Sequence, residues 1–362
     1  MNKPPRQATI SARLSALICS AALSGLVAGG VYKIVRASAH EDARPNDYTL
    51  TFVDANDRPI TDKPGTLKLV LDPFVVYRNA PSQKTKSFTI DEHGFRAGMR
   101  SDRPKVFLLG GSAVFGQDLE RDDQTLSAQL DQRCPTYSFV NAGVVGYLAG
   151  QELGFMAHYA DEFQPVGYIL IDGWNEVFDQ YHFAVRPSNR LGFNNAFFDI
   201  ENRLAQLAAS QQTSSPLSVA PMANLPSPER ALEQISQNYR SQVERMASFA
   251  TSRGAFFLWA MQPELAAKNR QNEAEQRSLT AWNKAYGYVD RGFPQAYARL
   301  AREAASTAQK RGIAWESLLD HPAITSSTET LFLDPVHLSP RGTEVVSQIL
   351  KDRIGVMLKA SP

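Results

Sequence analysis

Two segments far apart in the chain carry groups able to pass a proton between them. The first is Leu108-Leu109-Gly110-Gly111-Ser112-Ala113-Val114-Phe115-Gly116. A serine hydroxyl is a weak nucleophile at neutral pH and needs an adjacent base. The second is Asp334-Pro335-Val336-His337-Leu338-Ser339-Pro340. An acid three positions before a histidine can orient the imidazole and stabilise its charged form. The imidazole can then take a serine proton and return it to a leaving group. Each segment also has a plainer reading. A strand followed by Gly-Gly-Ser suits a phosphate-binding loop or simple turn chemistry. Asp334 and His337 could cap the last helix. Ser339 ahead of Pro340 is the better cap, which leaves the acid and histidine unexplained by capping.

Two further segments offer donors to a developing negative charge. In Asp172-Gly173-Trp174-Asn175-Glu176 the Asn175 amide can donate to an oxyanion. In Val140-Asn141-Ala142-Gly143-Val144-Val145-Gly146-Tyr147 a glycine can present its backbone N–H to the same atom. Taken alone, each is an ordinary turn.

Whatever these residues do, strands must position them. Val106 to Leu109 is a continuous apolar run with a Gly-Gly break behind it, which predicts a strand buried on both faces. Helix follows over 123 to 132, a second strand over Tyr137 to Val140, helix over 149 to 161, and a third strand over Tyr168 to Ile171. This alternation predicts an α/β fold with a parallel sheet and helices on both faces. Serine, glycine and asparagine then fall at the carboxyl ends of strands, where open α/β sheets bind ligands. Residues 180 to 228 interrupt the rhythm with one helix near Ala196 to Ala209 and a polar Ser/Thr/Pro/Gln stretch, as a lid or binding insertion would. A helix over 229 to 252, a strand over Ala255 to Met261, a helix-prone block over 264 to 311, a short strand near Ile313 to Trp315 and a last helix over Pro340 to Leu358 complete the pattern. Ahead of the first buried strand, Leu67 to Leu71, Phe74 to Tyr77 and Ser87 to Ile90 read as short β pieces, and Glu92 to Arg96 as a turn.

In their order and spacing the four segments resemble the blocks of the SGNH (GDSL-type) hydrolases. The likeness spans roughly residues 70 to 358 and includes the Asp72-Pro73 and Gly94-Phe95-Arg96 features of a secreted bacterial branch. It implies a flavodoxin-like three-layer α/β/α sandwich with a helical insertion. It implies Ser112 as nucleophile, and His337 with Asp334 as base and orienting acid. The oxyanion donors implied are Ser112, Gly146 (in preference to Gly143) and Asn175. Two positions depart from the pattern: Gly111 stands where an aspartate usually precedes the serine, and Glu176 where an aspartate usually follows the asparagine. The activity implied is a serine esterase or acyltransferase, with an O-acylated, above all O-acetylated, cell-surface or exported glycan as substrate. A lipase or lysophospholipase, and a non-catalytic glycan-binding or assembly protein on the same fold, are the alternatives. Trp174 suits either a sugar-stacking platform or core filler. No cofactor is implied.

Composition bounds the rest. With 43% hydrophobic and 21% charged residues in 362, the chain is ordinary globular material. Its 38 Lys and Arg against 37 Asp and Glu leave a net charge of +1, so no strong field exists to hold nucleic acid. Cys19 and Cys134 are the two cysteines, and with Cys19 in an apolar N-terminal run no disulfide is expected. Neither CxxC nor HExxH occurs, so no metal site is read. Lys3, Arg6 and Arg13 precede the apolar run Leu14 to Val31, which is just long enough to span a bilayer core of about 30 Å. Positive charge ahead of the run predicts a cytoplasmic N-terminus, a single pass through a bacterial inner membrane and a catalytic domain in the periplasm. Cleavage after Ala37-Ser38-Ala39 would instead release the protein. The expected division is 1–36 as tip and anchor, 37–65 as tether, 66–104 as an extension packed on the main domain, and 105–362 as the hydrolase domain with its insertion at about 180–228.

Overall fold

The computed structural model of the chain describes residues 50–53, 66–100, 102–178 and 227–360. The expected anchor therefore lies outside the described residues, as does the insertion apart from its last two positions; of the tether expected over 37–65 only Leu50–Val53 is described, and it forms a strand paired in parallel with Leu67–Val70. Among the described residues no helix is long and apolar enough to cross a membrane.

Among the described residues ten strands form in chain order. They are β1 (Leu50–Val53), β2 (Leu67–Asp72), β3 (Val76–Asn79), β4 (Gln83–Lys84), β5 (Thr89–Ile90), β6 (Lys105–Gly110), β7 (Ser138–Asn141), β8 (Gly167–Asp172), β9 (Phe256–Met261) and β10 (Ala314–Ser317). The central sheet has five of them, in the order β10-β9-β8-β6-β7, all paired in parallel. Counted by sequence this is the 2-1-3-4-5 order of flavodoxin-like sheets. The chain turns from one edge of the sheet to the other between β6 and β8. In open sheets of this order ligands bind at that switch point, beyond the carboxyl ends of the strands.

Parallel strands are covered on both faces, so they read as unbroken apolar runs. Every residue of β8 is buried. Alternate side chains of β6 feed two separate cores. Val106 and Leu108 pack with Leu126, Leu130 and Leu350 on one face. Phe107 and Leu109 pack with Tyr168, Val243 and Leu300 on the other. Each fully buried Leu or Val contributes about 1.5–3 kcal/mol.

The helices are α1 (Ser112–Phe115), α2 (Leu126–Arg133), α3 (Ala149–Phe155), α4 (Trp174–Val177), α5 (Pro228–Ser252), α6 (Glu273–Tyr286), α7 (Phe293–Arg311), α8 (Pro322–Thr325) and α9 (Pro340–Ala360). Helices α2 and α9 cover the first face, and α3, α5 and α7 the second. Their starts follow local chemistry. Ser227 caps α5, with Pro228 at its first position. Asn272 and Glu275 form a reciprocal capping box on α6. Ser339 caps α9 by accepting from Gly342 N at 3.0 Å.

Two expectations need adjusting. The strand expected over Phe74 to Tyr77 starts later, because the Asp72 carboxylate takes the N–H groups of Phe74 (2.9 Å) and Val75 (3.1 Å) and turns the chain first. The helical block over 264 to 311 is two helices, broken where Gly287 ends α6 in a left-handed cap. The extension over 66 to 104 packs on the main domain through Leu67, Leu69, Val75, Phe88 and Phe95, which belong to the second core.

Candidate active site

Helix α1 begins at Ser112, directly beyond β6. The chain can reverse there only because position 110 is glycine. Gly110 has φ +157, and a Cβ on it would lie 2.3 Å from Val114 Cγ2 and 2.5 Å from the Ile171 carbonyl. The first N–H groups of a helix have no intrahelical acceptor, so Ser112 N is a donor without a helical partner. Its hydroxyl faces the histidine. His337 Nε2 stands 2.9 Å from Ser112 Oγ, and His337 Nδ1 stands 2.7 Å from Asp334 Oδ2. The spacing fixes the tautomer: Nδ1–H donates to the carboxylate, and Nε2 accepts from the hydroxyl.

Asp334 is set up to stay ionised. Its second oxygen accepts from Val336 N at 2.9 Å and His337 N at 2.8 Å. Burial works to raise this carboxyl, but the imidazole beside it and the two backbone donors outweigh burial and hold it at about 2. The loop bearing both residues is pinned from outside. Leu265 N donates to the Pro335 carbonyl at 2.9 Å. Glu275 accepts from Leu331 N at 3.0 Å and from Phe332 N at 3.3 Å, while its other oxygen meets Lys268 Nζ at 2.6 Å. Lys268 and Glu275 are wholly buried, and the backbone donors satisfy what the ion pair leaves over.

The nucleophile's loop is braced from the extension. The Arg96 guanidinium is fully buried. It donates to the carbonyls of Phe115 (3.0 Å), Gly116 (2.6 Å) and Ser87 (3.1 Å), and pairs with Asp122 at 3.0 Å. Asn141 adds a donor to the Val114 carbonyl at 3.0 Å and receives Gly143 N at 3.1 Å. One planar fork and one amide thus hold the end of α1 and the loop after β7 together. The Gly-Phe-Arg segment reads in sequence as a turn packed beside the main domain and as a feature of the resembled branch, and nothing in its local pattern shows that Arg96 reaches the serine's helix.

Asn175 lies in α4, after β8. Its Nδ2 donates to the Tyr147 carbonyl at 2.9 Å, which orients the amide and leaves its second hydrogen for an oxyanion. The same nitrogen fills the space over Gly111. A Cβ there would come within 2.6 Å of it, so the absence of the usual aspartate goes with a close-packed asparagine. Gly146 has φ +78, in the loop closed by Tyr147 N to the Val144 carbonyl. Tyr77 of β3 grips that loop by donating to the Val145 carbonyl at 2.9 Å. The structure thus brings loops bearing Ser112, Gly146, Asn175, Asp334 and His337 to the strands' carboxyl ends and the neighbouring histidine loop. Trp174 does not join them. It is 3% exposed and packs in an aromatic group, 4.3 Å from Phe178 and 5.0 Å from Phe293 between ring centres. This is the core-filling one of its two readings.

Two features here escape sequence reasoning. Asp118, just past α1, is buried and lies with its Oδ2 4.0 Å from His337 Nδ1. One ligand atom each from Asp118, Asp334 and His337 lie within 4.8 Å of one another, as cation ligands would, yet Nδ1 is committed to Asp334 by its hydrogen bond. Behind Asn175, Glu152, Asp172 and Glu176 form a fully buried acid cluster. Burial, then mutual charge, pushes all three well above the usual carboxylate range. Glu176 also accepts from Ala149 N at 2.6 Å, tying the Asn175 helix to the start of α3 just beyond Gly146.

No protein-family model and no curated protein matches the chain. Among solved structures it is similar to a GDSL-like lipase from Bacteroides thetaiotaomicron, at 12% identity and a TM-score of 0.41, over 70% of this chain and 88% of that one. It is similar to a lipase/acylhydrolase from Enterococcus faecalis, at 12% identity and a TM-score of 0.42, over 69% and 95%. A Geobacillus acetyl-xylooligosaccharide esterase aligns at 12% identity and a TM-score of 0.40, over 70% and 94%. Likenesses this distant carry no argument about what the chain does.

Proposed function

We propose that the protein is a serine esterase of the SGNH type, working by acyl transfer through an acyl-enzyme on Ser112. The observation that carries this is the continuous line from the Ser112 hydroxyl through both nitrogens of His337 to an ionised Asp334, at 2.9 and 2.7 Å. Capping, turn formation or phosphate binding needs no such line.

In the first step Ser112 Oγ attacks the ester carbonyl carbon as its proton moves to His337 Nε2. The carbonyl π pair moves onto oxygen, where Ser112 N, Gly146 N and the Asn175 amide receive it. The tetrahedral adduct collapses as His337 gives its proton to the departing alkoxide oxygen, releasing the alcohol and leaving the acyl group on Ser112. Water, or the hydroxyl of an acceptor sugar, then gives its proton to His337 and attacks the acyl carbon. The Ser112 Oγ–C bond breaks, and Oγ recovers its proton from Nε2. Asp334 keeps the imidazole in the right tautomer throughout.

The substrate we propose is an O-acetylated glycan at or beyond the cell surface. Two things support it: the resemblance of the four blocks to a family that includes carbohydrate acetylesterases, and an apolar N-terminal run that reads as an inner-membrane anchor with the enzyme outside. The test is release of acetate from a panel of acetylated polysaccharides, run beside esters of long-chain fatty acids. Faster turnover of the acetylated glycans is expected. Preference for the long acyl chains would make the protein a lipase.

A further inference from the structure

Helix α1 ends at Gly116, and a tight turn follows, closed by Leu119 N to the Gly116 carbonyl at 3.2 Å. Within that turn Asp118 has φ +71, a left-handed conformation that side-chain-bearing residues rarely adopt. Its side chain is 4% exposed, and Oδ2 lies 4.0 Å from His337 Nδ1. The same nitrogen already holds Asp334 Oδ2 at 2.7 Å. One imidazole therefore faces two buried carboxyl groups, one from its own loop and one from the loop of the nucleophile.

We propose that Asp118 is a positioning residue for His337, a second carboxylate that stabilises the imidazolium formed when Ser112 gives up its proton. The inference rests on the proposed serine-esterase reading, and deepens it. Turn geometry alone does not account for this residue. Asparagine and glycine adopt left-handed conformations at least as readily and bring no charge. Two carboxylates in a buried space repel each other, and a proton gained by the imidazole that both approach relieves that repulsion. A charge 4.0 Å away, between two side chains each 4% exposed, is poorly screened. The arrangement also links the two halves of the reaction: the turn that carries Asp118 is the direct continuation of the helix that carries Ser112. The titratable groups facing His337 among the described residues are Ser112 and Asp118 from the nucleophile's segment and Asp334 from its own. Tyr286 of α6 faces Asp334 from behind.

The test is Asp118→Asn in the full-length protein, because asparagine keeps the left-handed turn and removes only the charge. The ring protons of His337, assigned by their loss in His337→Gln, are titrated by NMR in the resting protein. The pKa of His337 is expected to fall by about one unit in Asp118→Asn, a ten-fold weaker hold on the proton. The acid limb of kcat/KM for p-nitrophenyl acetate should move by the same amount. Asp118→Gly also tolerates the turn and must give the same shift. In the Asp334→Asn background, adding Asp118→Asn should lower kcat/KM about a further ten-fold. A folded Asp118→Asn protein whose His337 titrates as in wild type overturns the inference, as does disagreement between the Asn and Gly variants. The titration needs no turnover. A shifted His337 in a protein that cleaves no ester would reject the esterase and leave the electrostatic coupling standing. Ester cleavage with an unshifted His337 would reject the coupling alone.

Discussion

Ser112 Oγ and His337 Nε2 lie 2.9 Å apart although 225 positions separate them in the chain. The parallel sheet makes this contact possible, because it returns successive loops to the same end of the strands. One prediction follows from the contact itself. Ser112→Ala and His337→Ala should each lower kcat by about 10⁴–10⁶, and the double variant should be hardly worse than either, since the pair acts as a unit. Steady-state kinetics on p-nitrophenyl acetate check this. Additive losses would separate the two roles.

Asn175 should matter to the transition state and little to ground-state binding. Asn175→Ala is expected to reduce kcat by about 10²–10³ with KM changed far less. A variant that loses affinity while keeping kcat would make Asn175 a substrate-binding residue.

Arg96 should behave as a structural brace whose loss reaches the serine. Its donors meet four carbonyls, those of Ser87, Phe115, Gly116 and Leu119, and one carboxylate in directions that only a planar fork supplies. Arg96→Met strands those carbonyls and should destabilise the protein by about 3–5 kcal/mol in urea unfolding. Arg96→Lys keeps the charge yet should recover less than half of that loss. Full recovery by lysine would show that charge, not geometry, is what the site needs.

The acid cluster predicts an unusual pH dependence of stability. Glu152, Asp172 and Glu176 have pKa values raised by burial, so the folded protein keeps protons that the unfolded chain releases. Their contribution is complete below the ordinary carboxylate range, and is lost as pH rises through the raised values. Asp334, held at about 2, has the opposite sign: its contribution is present above its ordinary value and lost as pH falls through 2. Stability should therefore peak in mildly acidic solution and decline towards neutral and alkaline pH. Glu152→Gln removes one of the ionisations, and should flatten that decline by up to about 1.4 kcal/mol per pH unit. Urea midpoints measured from pH 4 to 9 check it, and an unchanged slope would contradict the raised carboxyls of the cluster.

The parts of the molecule that are legible in sequence are those governed by local rules. The Val106 to Leu109 run announces a strand buried on both faces, and Ser339-Pro340 announces a helix start. Strand ends also announce where Ser112 and Asn175 stand, because the chain must turn there. What is not legible depends on contacts remote in sequence. Arg96 sits in an unremarkable turn, and its acceptors lie 19 and 20 positions away. Glu152, Asp172 and Glu176 are charged types in fully buried places, the reverse of what polarity predicts. Asp118 looks like any turn residue until His337 is folded against it. Trp174 sits in a motif that suits both a sugar platform and a core, and only packing against Phe178 and Phe293 separates the two.

The most direct test of the account is covalent capture of the nucleophile. The intact protein in detergent is treated with a fluorophosphonate probe, and the labelled peptide is identified by mass spectrometry. The account predicts one label, on Ser112, absent from Ser112→Ala and slowed by at least about 10³ in His337→Ala. A folded wild type that takes no label, or a label that persists elsewhere after Ser112 is removed, would contradict it.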